Sequence, residues 1–215
     1  KTVQSFHRDL DFFTRKYRVV DLHTFLAEAE SGFDSKGKRL CHLSFDDGLA
    51  ECATVIATIL KQRGIPATFF VNNGFVDNQS MFFRFKISLL IDKLVSNGLS
   101  VTQINASLSA LGIKDVAKLK HALLQLKYAD VALIDRLGVI CDVAFDGYLK
   151  THEPYLTSYQ IIKMQSDGFT FGAHSIDHPE FRFLDVDEQY RQVQTSVDEL
   201  TRKFALNAKV FSFPF

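Results

Sequence analysis

One segment constrains the fold of this chain more than any other: a strand, a helix and a second strand follow one another between Leu40 and Val71. Leu40 to Phe45 reads as a strand and stops at Asp46-Asp47-Gly48. Leu49 to Arg63 places Val55, Ile56, Ile59 and Leu60 on one helical face and ends at Gly64. Ala67 to Val71, Ala-Thr-Phe-Phe-Val, is a strand rich in β-branched and aromatic residues. A helix of that length between two strands is a βαβ crossover, which requires parallel pairing and predicts an α/β fold.

The same alternation organises most of the rest. Residues 12–28 predict a short strand followed by a helix-like turn, and Ser31 to Lys38, with Gly32 and Gly37, a loop. From about Asn78 to Glu153 the spacing turns helical throughout. Met81, Phe82, Phe85, Leu89 and Leu94 share one stripe, a short helix is expected near Thr102 to Leu111, and a longer one from Asp115 carries Leu119, Leu123, Leu126, Leu133 and Leu137. This block reads as a helical insertion in a single 1–215 domain, because the α/β pattern resumes after it. Thr157-Ser158-Tyr159-Gln160 fits a capping box, and its helix ends at Gly168. Phe169 to Ala173 is the next strand, closing at His174. Asp185 to Phe204 predicts a long helix with Tyr190, Val193, Val197, Leu200 and Phe204 on its buried face, and Lys209 to Phe213 begins another strand.

Composition excludes some functions. Lys plus Arg and Asp plus Glu number 25 each, so the formal charge is zero and no basic footprint for nucleic acid stands out. No apolar run approaches the roughly 20 residues that span a bilayer. The 21 phenylalanines are expected in core layers. Cys41, Cys52 and Cys141 show neither a disulfide framework nor a zinc spacing, and Cys41 is expected to be a buried thiol. The opening Lys1-Thr2-Val3-Gln4 is neither a Met start nor a signal peptide, so localisation is not legible.

Two clusters sit just past predicted strand ends, where α/β folds place their sites. In Ser44-Phe45-Asp46-Asp47-Gly48, adjacent carboxylates repel unless a cation is near, although Asp-Gly alone is more often an ordinary turn. In His174-Ser175-Ile176-Asp177-His178, two imidazoles four apart on a helical turn would point one way, although such a pair can be accidental. Together they supply a carboxylate and two imidazoles, a set that leaves metal positions open, and a second carboxylate to act as base.

At these residues the chain resembles the polysaccharide deacetylases of carbohydrate esterase family 4, the NodB-like domain. Ser44 to Gly48 matches the first motif and His174 to His178, followed by Pro179, the second. Gly64 to Val71 and Asp167 to His174 match the strands that lead to them. The resemblance implies a distorted β/α barrel, here incomplete at its C-terminal side. It implies Asp46 as general base and Asp47, His174 and His178 as ligands of a divalent metal, Zn²⁺ first, with Co²⁺, Ni²⁺ or Mn²⁺ as alternatives. It also implies an oxyanion-binding amide at the end of Phe211-Ser212-Phe213-Pro214-Phe215, with Phe215 as donor and Pro214 beside the groove. The implied reaction is hydrolysis of N-acetyl or O-acetyl groups on a polysaccharide or amino sugar.

Two departures qualify that resemblance. Ser212 stands where many members carry an Arg that holds the catalytic Asp, which suggests a subfamily. The later motifs, with the histidine that acts as general acid, would lie beyond Phe215, and His7, His23, His42, His121 and His152 match no motif. The alternatives are a non-catalytic carbohydrate-binding relative and a metal-dependent amidohydrolase of a small non-sugar amide. The insertion is expected to cap the C-terminal face of the sheet or to cover its outer wall. Replacing residues 80–150 by a linker should change substrate length preference and leave metal binding intact if it is a cap.

Overall fold

Five short segments run parallel and lie side by side in the order of the chain. They are β1 (Arg18–Val19), β2 (Leu40–Cys41), β3 (Leu43–Phe45), β4 (Ala67–Val71) and β5 (Thr170–Ala173). The computed structural model describes residues 2–31, 37, 39–96 and 98–214. β1 pairs with β2, and β4 lies between β3 and β5. Phe211 extends the series by a parallel bridge to Ala173. His42, between β2 and β3, joins the two sheets: its Nδ1–H donates to the Val20 carbonyl and its Nε2 meets the Thr68 hydroxyl, each at 2.9 Å. The parallel pairing read from the sequence is therefore observed. Sequential neighbour order is that of a β/α barrel, but the described strands form an open series with no closing pair.

Register explains many of the phenylalanines. Phe45 lies opposite Phe69, and Phe69 opposite Phe171, so three rings stack across the sheet with centroids 5.2 and 5.7 Å apart. Leu10, Leu60, Ile161 and Leu200 bury the same face under the helices. Those helices begin with α1 (Val3–Lys16), capped by the Thr2 hydroxyl, and α2 (Leu22–Ser31). The short strand and following helical segment expected over 12–28 are observed as β1 and α2, but Phe12 and Phe13 belong to α1, whose face is set by Phe6 and Leu10 upstream. Within the expected loop, residues 32–36 and Lys38 lie outside the described residues. The crossover helix starts as a π-helical turn, Cys52–Ile56, and continues as α3 (Ala57–Gln62).

The insertion consists of α4 (Phe83–Val95), α5 (Val101–Ala110), α6 (Leu119–Gln125), α7 (Val131–Ile140) and α8 (Phe145–His152). The single helix expected from Asp115 is two, because the chain turns extended at Leu126 before restarting. These helices bury a second core, with Leu90, Leu119, Ile134 and Leu137 at its centre. A third, small cluster of Phe75, Met81, Leu149 and Tyr155 lies where the insertion meets the sheet.

α9 (Ser158–Ser166) carries the expected capping box at Thr157 and Gln160. α10 (Val186–Phe204) follows, capped by Asp185. Its inward face is not quite the expected one. Leu200 and Phe204 are buried, but Tyr190 is exposed and the polar Gln192 and Ser196 are fully buried. Gln192 faces the site, which asks for hydrogen bonds rather than apolar contact. Cys52 and Cys141 are buried free thiols, whereas Cys41 is half-buried. No helix among the described residues is long and apolar enough to cross a membrane.

Candidate metal centre

Successive strand ends deliver the polar residues. Asp46 and Asp47 follow β3, Asn72 follows β4, His174 follows β5, and Ser212 follows the Phe211 bridge. Asp47 (φ 71°) and Gly48 (φ 64°) both occupy the left-handed region, so the chain reverses at once after the strand. Gly48 is required there: a Cβ would lie 2.9 Å from Val71 Cγ1. The turn is then pinned by hydrogen bonds from Leu156 N–H to the Gly48 carbonyl and from Ala50 N–H to the Pro154 carbonyl, both 2.8 Å.

The two histidines do not sit on a helical turn, as their spacing had predicted. Residues 174–178 form an irregular loop in which Ser175 (φ 73°) and His178 (φ 59°) are left-handed. This loop converges its two imidazoles because neighbours hold its backbone. His174 N–H donates to the Val71 carbonyl at 2.9 Å, Gly74 N–H to Ile176 at 2.9 Å, and His178 N–H to Ser175 Oγ at 3.0 Å. The buried Asn72 carboxamide donates to the His174 carbonyl and to Ser175 Oγ. Gln192 accepts from Ile176 N–H at 2.9 Å and donates to Asp177 Oδ1 at 2.8 Å.

The insertion completes the cage. The Tyr128 hydroxyl donates to Asp177 Oδ2 at 2.5 Å, and burial together with that hydrogen bond pushes the phenol's pKa up. The Phe82 ring lies 4.4 Å from the His178 ring, centroid to centroid. Two residues past His178, the buried Glu180 carboxylate pairs with Arg84 at 2.9 Å and Lys127 at 3.6 Å.

Within this frame Asp47, His174 and His178 each aim one ligand atom at a common point, all within 4.8 Å of one another. Asp47 Oδ1 lies 3.2 Å from His178 Nε2 and 3.5 Å from His174 Nε2. That oxygen is shut off from solvent and accepts no well-aligned hydrogen bond, although the side chain as a whole is 44% exposed. His174 Nδ1–H donates to the Ser212 carbonyl at 2.8 Å, which leaves the Nε2 lone pair facing inward. Burial lowers the His174 pKa, opposed by Asp46 and the Ser212 carbonyl, which favours the neutral imidazole that a ligand needs. The neighbouring His178 imidazole holds the Asp47 carboxyl below its usual range, against its burial. One carboxylate oxygen and two imidazole nitrogens at this spacing fit a divalent cation.

Asp46 stands beside this set but outside it. It is exposed, and Ser212 Oγ donates to its Oδ2 at 3.3 Å. Pro214 is buried, and Phe215 lies outside the described residues. Sequence reasoning missed Asn72, Tyr128 and Gln192. Asn72 carried one usable signal, its position immediately after a buried strand.

Fold and site together define an α/β protein with a three-residue candidate metal centre at the C-terminal ends of its strands. The polysaccharide deacetylase family model matches residues 34–125 and 143–215, and the chain belongs to that family. A search of curated proteins finds no sequence relative. Among solved structures the fold resembles IcaB from Ammonifex degensii (TM-score 0.55, 17% identity, 99% of this chain and 66% of that one). It also resembles the BpsB deacetylase domain from Bordetella bronchiseptica (TM-score 0.55, 12% identity, 100% and 69%). The Streptococcus pyogenes deacetylase PplD, solved with acetate, is similar at TM-score 0.53 and 16% identity, over 94% and 57%. The chain thus spans 57–69% of the length of these structures.

Proposed function

We propose that the protein hydrolyses N-acetyl or O-acetyl groups on a polysaccharide or amino-sugar substrate. The observation that carries this reading is the convergence of Asp47, His174 and His178 within a chain of the polysaccharide deacetylase family. Those three residues would hold a divalent metal, Zn²⁺ first. When bound, such an ion polarises an acyl carbonyl and acidifies a water molecule.

The protein's own groups do the rest. Asp46 accepts the proton of the attacking water, and its exposure leaves it open to that water. The Ser212 hydroxyl fixes the Asp46 carboxylate, while the Ser212 carbonyl fixes the tautomer and direction of His174. One residue therefore orients both the base and a ligand. The family resemblance assigns the oxyanion-binding amide to Phe215 beside Pro214. We read the open strand series as part of the family's barrel, and residues 1–215 as one deacetylase unit interrupted by its helical insertion.

Two measurements test the reading. Protein purified without chelator should contain one equivalent of divalent metal, and His174→Ala should lose it; equal content in the two would end the assignment. Asp46→Asn should keep the metal but release acetate from N-acetylated oligosaccharides about 10²-fold more slowly, the size of a general-base contribution. An unchanged rate would remove Asp46 from the mechanism.

A further inference from the structure

The helix α1 stands outside the family match, which begins at residue 34, so its role is not set by the residues the family shares. Its inner stripe joins the first core. Leu10 is 1% exposed, and the Phe6 ring meets Phe45 edge-on with centroids 6.1 Å apart. Phe45 ends β3 and stacks on Phe69, and the next two residues are Asp46 and Asp47. α1 therefore braces the strand end that carries the candidate base and one candidate ligand.

A polar clasp closes beside that brace. Arg63, at the C-terminal end of α3, reaches α1 with both terminal guanidinium nitrogens. One donates to Asp11 Oδ1 at 2.6 Å and the other to His7 Nδ1 at 2.8 Å. The two acceptors are four residues apart and so share one side of the helix. A guanidinium has donors only and stays charged throughout the range in which a protein folds. His7 Nδ1 must then present its lone pair, which puts the ring proton on Nε2 and makes the ring neutral whenever the clasp is closed.

Protonation of His7 undoes both bonds. Nδ1 then carries a hydrogen aimed at a cation. The imidazolium also offers Asp11 a positive partner on its own helix, at i, i+4 spacing, in competition with Arg63. The remaining charges near it do not prevent this exchange. Arg8 and Asp9 flank His7 on α1 with opposite signs, and Arg18 of β1 is paired with Glu28 of α2. Histidine is the side chain that ordinarily changes charge between pH 5 and 8. The clasp is thus complete with the neutral ring and lost as pH falls.

We propose that His7, Asp11 and Arg63 form an acid-sensitive clasp that holds α1 to the crossover helix and, through Phe6 and Phe45, steadies the Asp46–Asp47 turn. With His7 neutral, Arg63 bridges the two helices. With His7 protonated, Asp11 turns to its own helix, Arg63 is released, and α1 rests more loosely on Phe45. Nothing in this clasp depends on what the site hydrolyses.

Amide hydrogen exchange of the full chain, corrected for the intrinsic pH dependence of exchange, tests it at about pH 7.5 and about pH 5.5, either side of the usual histidine transition. Residues 3–16 should lose protection about fivefold at the lower pH, the scale of one hydrogen bond, while α7 keeps its own. His7→Asn places a carboxamide oxygen near the position of Nδ1 and takes up no proton, so its α1 should stay protected. At the lower pH its residues 43–50 should also exchange about twofold or more slowly than in the wild type. His174 and His178 face Asp47 in both proteins, so their own titration cancels in that comparison. Arg63→Met keeps the aliphatic stem without the donors, and its α1 should exchange at the higher pH as the wild type does in acid. Equal wild-type protection of α1 at the two pH values would overturn the clasp. So would an equal acid loss in His7→Asn, or full protection in Arg63→Met. Residues 43–50 exchanging alike in wild type and His7→Asn would overturn its reach to the turn.

Discussion

Asn72 has no chemistry to offer a substrate, yet its carboxamide holds the loop that brings two imidazoles together. Asn72→Ala removes both donations from a residue that is 1% exposed, and the His174–His178 loop loses its side-chain anchor from the end of β4, keeping to that strand only the backbone bond from His174 N–H to the Val71 carbonyl. We expect metal affinity to fall 10- to 100-fold, the usual consequence of losing a group that orients a ligand. Chelator competition measures it, and an unchanged affinity would mean that Gln192 and Tyr128 hold the loop alone. Ser212→Ala should behave differently. It keeps the carbonyl that orients His174 and loses only the hydroxyl on Asp46, so turnover should drop less than tenfold with metal affinity intact. At this scale the sequence singled out Asp47, His174 and His178, which the structure brings together, because a short motif of side chains marks such a cluster. It was silent where a role belongs to a main-chain carbonyl, as at Ser212, because any residue supplies one.

Among the elements, a 3₁₀ turn, Val76–Asn78, does more joining than its length suggests. Asp77 accepts from Ser158 N–H and Oγ, both at 2.5 Å, and from Lys203 Nζ at 2.9 Å, so it ties the start of α9 to the end of α10. Burial raises the Asp77 pKa, but the two Ser158 hydrogen bonds and Lys203 outweigh it, and the net shift is below the ordinary 3.8. A carboxyl lowered in this way stabilises the fold fully above its unfolded pKa and loses that contribution as pH falls through the lower folded value. Asp77→Ala should therefore destabilise the fold at neutral pH by about 1 kcal/mol, the scale for a partly exposed group, and so lower the Tm. Its deficit against the wild type should shrink below pH 3.8. A deficit independent of pH would assign the effect to something other than the charge.

Periodicity located β3, β4, β5 and most of the helices, because their apolar spacing reports burial directly. It failed for α1, where Phe12 and Phe13 imitate a strand, and for the exposed Tyr190. It also could not foresee the break between α6 and α7, since the leucines keep helical spacing across the extended turn at Leu126.

For the molecule as a whole, the insertion's contacts revise what its removal should do. Sequence spacing left it as either a cap over the strand ends or a cover of the outer wall, and its loss was expected to spare metal binding. Phe82 against His178, Tyr128 on Asp177, and Arg84 and Lys127 on Glu180 all come from residues 82–128 and land on or just past the loop that carries the candidate ligand His178. Replacing residues 83–152 with a linker should weaken metal binding by 10-fold or more, and equal affinity would restore the simple cap. Tyr128→Phe is the milder version: it strands one Asp177 oxygen without disturbing the second core.

The three hydrophobic clusters also bear on how the chain comes apart. The candidate ligands Asp47 and His174 project from the strands of the first core, while the loop bearing His178 is gripped by Phe82 and Tyr128, which pack against the second. An ion that binds only when both sides are in place adds its binding free energy to the simultaneous folding of both. Scanning calorimetry of chelated protein should then resolve two overlapping heat-absorption peaks, and saturating metal should merge them into one at higher temperature. In that sense a metal held at the candidate centre would be a rivet between two separately packed cores, and the protein's thermal cooperativity would follow the supply of that ion.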